Sequence, residues 1–294
     1  MKALKIWITG ASGMLGKDLQ ALAVSRGHRV FPTDRELDIT DAAPVSSFLA
    51  AHEPDYAVNA AAYTAVDLAE TETELNEKVN ALGPKVLGEC CARAQIPLLH
   101  ISTDYVLSGE APQPLLPDAL FAPVNAYGKA KARGEVFLKE SGAESWILRT
   151  AWLYGIHGKN FVKTMLSLMK TRDEVRVVND QFGNPTWTCD LARAVLQILE
   201  NGSHFGTYHF SGEGITSWFE FALKIREFAL ELGLLTRKVS VIGIPSSEYP
   251  TPARRPHWSA LSKEKLKETF GISIPLWETS LFEYLKSEAE RGEI

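Results

Sequence analysis

The sequence predicts an α/β protein, a doubly wound parallel sheet with a second, smaller α/β lobe. Three observations carry this expectation. Short β-rich runs alternate with helical stretches through the first half of the chain, a glycine-rich turn joins the first run to the first helix, and the pattern loses its regularity after about residue 150. Strands covered by helices on both faces read as near-continuous apolar runs, because neither side meets water.

The runs Lys5–Thr9, Arg29–Thr33, Ala57–Asn59, Leu98–Ser102 and Trp146–Arg149 have that character. Met14–Ser25, Ala42–His52, Glu72–Ala94 and Ala126–Glu140 separate them as helices. Further on, Phe161–Lys170 and Asp190–Glu200 read as helices, Glu174–Val178 and Thr207–Phe210 as strands, and Ser217–Leu232 as an amphipathic helix. Ser246–Pro256 carries three prolines and reads as a loop. The acidic run Asp67–Glu77 suits the N-terminal part of a helix, where negative charge complements the macrodipole.

At 294 residues, with 45% hydrophobic and 23% charged residues, the composition is that of a globular chain large enough for a second lobe. The net charge of −5 argues against nucleic acid and anionic membrane surfaces as partners, since counterion release needs a basic face. No apolar stretch approaches bilayer length. Three cysteines, Cys90, Cys91 and Cys189, form neither a disulfide framework nor a C-x-x-C pair, so the cytoplasm is the expected compartment.

The turn Thr9-Gly10-Ala11-Ser12-Gly13-Met14-Leu15-Gly16 follows the first strand and opens the first helix. Gly10 permits a tight turn, Gly13 lets backbone approach a pyrophosphate, and Gly16 allows close helix–strand packing. Exposed amides at a positive helix end favour an anion. In this context the turn points to a Rossmann-type sheet binding a dinucleotide, with Gly10, Ser12, Gly13, Met14 and Leu15 as candidate contacts. After the second strand, Asp34 suits the adenine ribose hydroxyls and Arg35 a 2′-phosphate, so NADP(H) and NAD(H) both remain open. Residues 1–150 are expected to form mainly this domain. Residues 151–294 are expected to form mainly a substrate-binding lobe, with some segments returning to the first.

Tyr127-x-x-x-Lys131 begins the helix at Ala126, and an i, i+4 spacing puts both side chains on one face. A phenol with a pKa near ~10 is a poor acid at neutral pH, and a neighbouring ammonium favours its phenolate. Tyr127 beside a hydride donor is therefore suited to carbonyl reduction. Thr103 follows the fourth strand, where open α/β sheets bind ligands, and could hydrogen-bond a substrate carbonyl or simply cap a turn. Trp152 suits a sugar or base, or the core. Arg254 and Arg255 suit a diphosphate, or solvent. The seven histidines, His100 among them, lack ligand spacing and read as structural.

These segments, together with Asn59–Asp67 and Ser102–Val106, resemble the extended short-chain dehydrogenase/reductase family. Arg149–Gly155, Asn160–Met165, Asp180–Thr186 and Tyr249–Pro256 are similar, within it, to the reductases that convert dTDP-4-dehydro-L-rhamnose to dTDP-L-rhamnose. The resemblance spans nearly the whole chain. It implies that Tyr127 is the proton donor, that Lys131 tunes it and holds the nicotinamide ribose, and that Thr103 adjusts the donor's pKa and holds the sugar oxygen. It implies further that Ala61, Ala62, Tyr63 and Thr64 line the cofactor, that Asp38 and Ile39 lie near the adenine, and that Asp104 and Trp152 contact the sugar nucleotide. Some members of that group use magnesium at a dimer contact. Their first-helix acid is best matched by Asp18, so no metal ligand set is read from this sequence and a homodimer stays open.

Two other readings share the scaffold. Nucleotide-sugar dehydratases and epimerases resemble this pattern with Asp-Glu after the Thr, whereas Asp104 is followed here by Tyr105. Related non-catalytic regulatory subunits keep the fold and bind a partner, against which the complete Thr103, Tyr127 and Lys131 set counts.

Overall fold

The computed structural model describes residues 2–107 and 112–292. Its first half contains β1 (Lys5–Thr9), α1 (Met14–Ser25), β2 (Arg29–Thr33), α2 (Ala42–His52), β3 (Tyr56–Asn59), α3 (Thr73–Glu77), α4 (Gly83–Ala94), β4 (Leu98–Thr103), α5 (Ala126–Glu140) and β5 (Ser145–Thr150). The second half contains β6 (Leu153–Tyr154), α6 (Phe161–Thr171), β7 (Glu174–Val178), β8 (Phe182–Gly183), β9 (Thr186–Trp187), α7 (Thr188–Asn201) and β10 (Gly206–His209). It continues with β11 (Thr216–Ser217), α8 (Trp218–Glu231), β12 (Ser240–Ile244), α9 (Glu264–Phe270) and α10 (Trp277–Arg291).

Six strands pair in the order β10-β5-β4-β3-β1-β2, all parallel. Period-2 alternation along β1 explains why the sheet needs two covering layers. Ile6 and Ile8 pack with Leu15 and Leu19 of α1 and Leu191 and Val195 of α7. Trp7, between them, packs on the opposite side with Leu49 of α2 and Val86 and Leu87 of α4. The Trp7 indole N–H is satisfied by Thr33 Oγ1 at 2.9 Å, so the ring is buried at no polar cost. Strand β10 and helix α7 come from the second half of the chain yet complete this sheet and its cover.

A separate core joins α6, α8 and α10 through Leu166, Phe221, Ile225, Leu281 and Leu285, with Val175 and Val177 of β7. Here β7 pairs with β12 and β6 with β9, both parallel, while β8 and β11 are antiparallel. Helix α8 opens on a capping box in which Ser217 and Glu220 satisfy each other's backbone amides.

One expectation needs correction. Glu72–Ala94 is not a single helix: the chain runs as α3, a π-turn over Lys78–Leu82, and α4. Pro84 is the cause, since it has no N–H to give the carbonyl of Asn80 and its ring crowds that position. A widened turn carries the chain past it.

Helix α5 is fixed to the sheet by a fully buried ion pair. Arg149 on β5 donates from Nε and Nη2 to the two Glu135 oxygens at 2.9 and 2.8 Å, and Ser102 Oγ on β4 donates to the same carboxylate at 2.6 Å. Removing one partner of such a pair leaves a buried charge uncompensated. Arg149→Leu is therefore expected to lower stability by about 3–5 kcal/mol, which urea unfolding of the two proteins would measure.

Candidate active site

In an open parallel sheet a crevice forms outside the carboxyl ends of the strands where the winding reverses. Here that point lies between β1 and β3, and the turns that follow them touch. Gly10 has φ of +66°, and a Cβ on it would meet the Ala61 backbone nitrogen at 2.5 Å, so both conformation and space demand glycine. The turn after β3 is shaped by side chains. The Ala61 amide donates to Asn59 Oδ1 at 3.1 Å, while Asn80, within the π-turn, accepts from the Tyr63 amide at 3.1 Å and donates to the Tyr63 carbonyl at 2.8 Å.

Asp34, at the end of β2, accepts from the Ser12 amide at 2.9 Å and also from the Ser12 hydroxyl. Partial burial opposes its ionisation. The hydrogen bonds from Ser12 and the Arg35 amide, with the Arg35 charge, outweigh this and hold the carboxyl below its usual range. Asp38 is held down to about 2, first by Lys78 and then by Thr40. The side chains of Leu15 and Ile39 belong to the two cores, so what they present to a ligand is backbone. The Met14 side chain lies against Gly155.

At the end of β4 and the start of α5 stand the candidate acid–base groups. Asn125 caps α5 by accepting from the Gly128 amide at 2.8 Å, which leaves Tyr127 in the first turn, buried. Burial pushes the Tyr127 phenol up, and the Asp104 charge adds to this, while hydrogen bonding to Thr103 partly offsets it. Thr103 Oγ1 donates to Asp104 Oδ1 at 2.9 Å. Asp104 Oδ2 has no partner among the described residues. Burial raises the Asp104 carboxyl to about 6.

Lys131 is buried one turn after Tyr127 on α5, and desolvation lowers it to about 8. Its amine lies 2.7 Å from the Ile101 carbonyl, to which it donates, and 3.1 Å from His100 Nε2. It makes no hydrogen bond to Tyr127 among the described residues. Sequence reasoning missed His100, whose signal is its register: it pairs with Asn59 across β3 and β4, just inside the ends that carry the site.

Trp152 takes φ of +47°, a strained value for a bulky residue. Its ring stacks on Trp218 with centroids 3.5 Å apart and an interplanar angle of 7°, and a Cβ on Gly183 would meet the ring at 2.6 Å. With Asp104, Trp218 and Arg255 it lines one small hollow. Next to it opens a cleft of about 850 Å³ lined by Phe161, Arg172, Val177 and Trp218. Arg255 is partly exposed but not free: it grips Asp67 with two bonds of 3.0 and 2.8 Å. Asp18 accepts from Thr188 Oγ1 and lies 3.6 Å from His157, and no cluster of three or more metal-ligating side chains occurs among the described residues.

A buried phenol with a hydroxyl and a lysine amine at the strand ends, in a sheet whose first turn is of dinucleotide type, defines a nicotinamide-dependent oxidoreductase of the short-chain dehydrogenase/reductase type. Residues 4–290 match the family model described as the RmlD substrate binding domain, and the chain belongs to that family. It is 40% identical over 284 residues to the dTDP-4-dehydrorhamnose reductase of Aggregatibacter actinomycetemcomitans, covering 94% of this chain and 97% of that protein. Among solved structures it is similar to a dTDP-4-dehydrorhamnose reductase of Clostridium acetobutylicum, with 42% identity, a TM-score of 0.91, and coverage of 97% and 99% of the two chains. A Bacillus anthracis dTDP-4-dehydrorhamnose reductase in complex with NADP aligns with a TM-score of 0.92 at 37% identity, covering 97% of this chain and 100% of that one.

The raised Asp104 carboxyl has a consequence for stability. A carboxyl raised in the folded state contributes stability that is full below its unfolded pKa near 3.8 and is lost as pH rises through about 6. Asp104→Asn should therefore gain on the parent by about 3 kcal/mol between pH ~4 and pH ~7.5, a difference that urea titrations at the two pH values would reveal or rule out.

Proposed function

We propose that this protein reduces dTDP-4-dehydro-L-rhamnose to dTDP-L-rhamnose with NADPH, and that Tyr127 gives the proton. The observation that carries this reading is the buried row of Tyr127, Thr103 and Asp104 at the strand ends beside Trp152.

The residues fit a dinucleotide. The turn of Gly10, Ser12, Gly13, Met14 and Leu15 at the N-terminus of α1 would border the pyrophosphate, with the Ser12 and Gly13 amides already donating to Asp34 and to the Gly10 carbonyl and a turn so close to Ala61 that no Cβ fits at Gly10. Asp34 would take the adenine ribose, with Arg35 available for a 2′-phosphate, Asp38 and Ile39 would border the adenine, and Ala61 through Thr64 would line the remainder. When bound, the reduced nicotinamide supplies hydride to the carbonyl carbon.

The chain's own groups handle the oxygen. Tyr127 is protonated at neutral pH, as an ordinary phenol is, and burial reinforces this, so it can donate a proton to the sugar oxygen as that oxygen becomes an alkoxide. Thr103 holds the same oxygen. Lys131, an ammonium below about pH 8, favours the phenolate that Tyr127 becomes, and would hold the nicotinamide ribose. Asp104 would take a sugar hydroxyl, Trp152, held by its stack on Trp218, would border the sugar nucleotide, and the second-lobe cleft would take the nucleotide. The cytoplasm, where three free thiols are stable, is the compartment we propose.

The test is oxidation of NADPH in the presence of dTDP-4-dehydro-L-rhamnose. Loss of the phenolic hydroxyl in Tyr127→Phe should reduce kcat by roughly 10²–10⁴, with NADPH binding, read by fluorescence, retained. A wild-type chain that fails to turn over but copurifies with another protein would instead mark a regulatory subunit.

A further inference from the structure

Resting on the assignment of Lys131 to this reaction, we propose that His100 and Asn59 are positioning residues that set the charge of Lys131 and tie it to the turn lining the cofactor.

Four buried side chains form a row behind the reacting face. Lys131 Nζ lies 3.1 Å from His100 Nε2, and His100 Nδ1 lies 3.0 Å from Asn59 Nδ2. Asn59 Oδ1 accepts from Thr9 Oγ1 at 2.8 Å and from the Ala61 amide at 3.1 Å. None of Lys131, His100, Asn59 or Thr9 is exposed, so water cannot repair a mismatched hydrogen bond there.

Counting donors fixes the protons. The Ala61 N–H can only donate, so it must face the Asn59 oxygen, and the amide nitrogen must then face His100. Nδ1 of the imidazole is therefore the acceptor, and its proton sits on Nε2, aimed at Lys131. A neutral amine has the lone pair to receive it and still donates to the Ile101 carbonyl at 2.7 Å. An ammonium has three donors and no acceptor, and would set N–H against N–H. It fits only if the imidazole proton moves to Nδ1 and Asn59 turns over, which opposes the Ala61 amide. The charge of Lys131 and the hydrogen bond that shapes the Ala61 turn are thus alternatives within one network.

The other charges near Lys131 do not override this. Glu135, one turn further along α5, favours the ammonium but is occupied by Arg149 and Ser102. Tyr127, one turn back, is protonated and neutral. On the outer side of α5, Glu77 is paired with Arg133 and Glu70 accepts from the Ala126 amide. His100 itself is held neutral by burial and by the Lys131 charge, and the lowered proton affinity of Lys131 has the sign this network requires.

Asn59→Asp reverses the instruction. A carboxylate accepts from Ala61 and Thr9 with one oxygen and from His100 Nδ1–H with the other, leaving Nε2 bare to accept from an ammonium. The basic limb of the kcat–pH profile for NADPH-dependent reduction should then move up by about one pH unit or more. A variant with a lower kcat and an unmoved limb would mean that Asn59 only packs, and the proposal would fall. Nitrogen NMR of His100 in the wild-type protein is a check that does not depend on the variant folding: the proton should reside on Nε2 once the pH exceeds about 8 and Lys131 is a neutral amine, and a proton on Nδ1 there overturns the assignment. The same spectrum separates the two readings. A chain with the Nε2 proton but without reductase turnover refutes the function alone, and an active chain with the Nδ1 proton refutes this inference alone.

Discussion

The grip of Arg149 and Ser102 on Glu135 determines where the chemistry stands. Tyr127, Lys131 and Glu135 are spaced by four residues on α5, so a helix with 3.6 residues per turn presents all three to the sheet. Fixing the last of them fixes the rotation of the helix, because turning it would strand a carboxylate in a dry interior. Ser102 contributes to the grip from the residue before Thr103, so the hydroxyl beside Tyr127 and the anchor of α5 are set by adjacent positions of one strand. Placement of the phenol against the threonine follows from that geometry and does not rest on a direct bond between Tyr127 and Lys131.

The same dryness sets the protonation states. Burial favours the neutral forms of three groups there: Tyr127 is moved upward, Asp104 to about 6 and Lys131 to about 8, while the buried charges of Glu135 and Arg149 persist by pairing. Asp104 and Lys131 thus lie on either side of neutral pH, where small changes of environment change charge. Groups whose proton affinity lies near the working pH transfer protons most effectively. A phenol kept protonated favours giving a proton over taking one, which suits net reduction of a carbonyl better than elimination of water.

Much of the fold was legible because its causes are local. The strands β1 through β5 announce themselves by apolar runs, and the glycine turn by residues that touch one another within a few positions. What was hidden depends on partners distant in sequence. The π-turn needed Pro84 to be weighed against an otherwise helical pattern, and the two-residue strands β6, β8, β9 and β11 carry too little pattern to detect. Tyr127, Thr103 and Lys131 could be named from motif spacing, but the direction of the Lys131 amine could not, since His100 is 31 residues away. His100 read as structural because a lone histidine in a strand has no local signature of its role. Trp152 presented two readings, core or ligand. Its ring is packed against Trp218 and Gly183, yet it also lines the hollow that holds Asp104.

The pairing of Arg255 with Asp67 bears on how the two halves of the site meet. It joins residues 188 apart, and both side chains are partly solvated, so its net strength is about 0–1 kcal/mol. Two backbone contacts reinforce it: the Ala253 amide donates to the same Asp67 at 3.2 Å, and Asn125 Nδ2 donates to the Arg254 carbonyl at 2.8 Å. Asn125 is also the cap of α5, two residues before Tyr127. One asparagine therefore joins the proline-rich loop to the turn that carries the phenol, its amide nitrogen serving one and its oxygen the other. A loop held by two screened ion pairs, Arg255–Asp67 and Arg176–Glu248, and by hydrogen bonds such as those of Ser246 to Asp180 is tied more weakly than the capped helix beneath it, which a fully buried ion pair fixes. Compliance over a rigid acid–base row is what such a site requires, because the substrate must enter and leave while the proton donor stays where β4 and α5 put it.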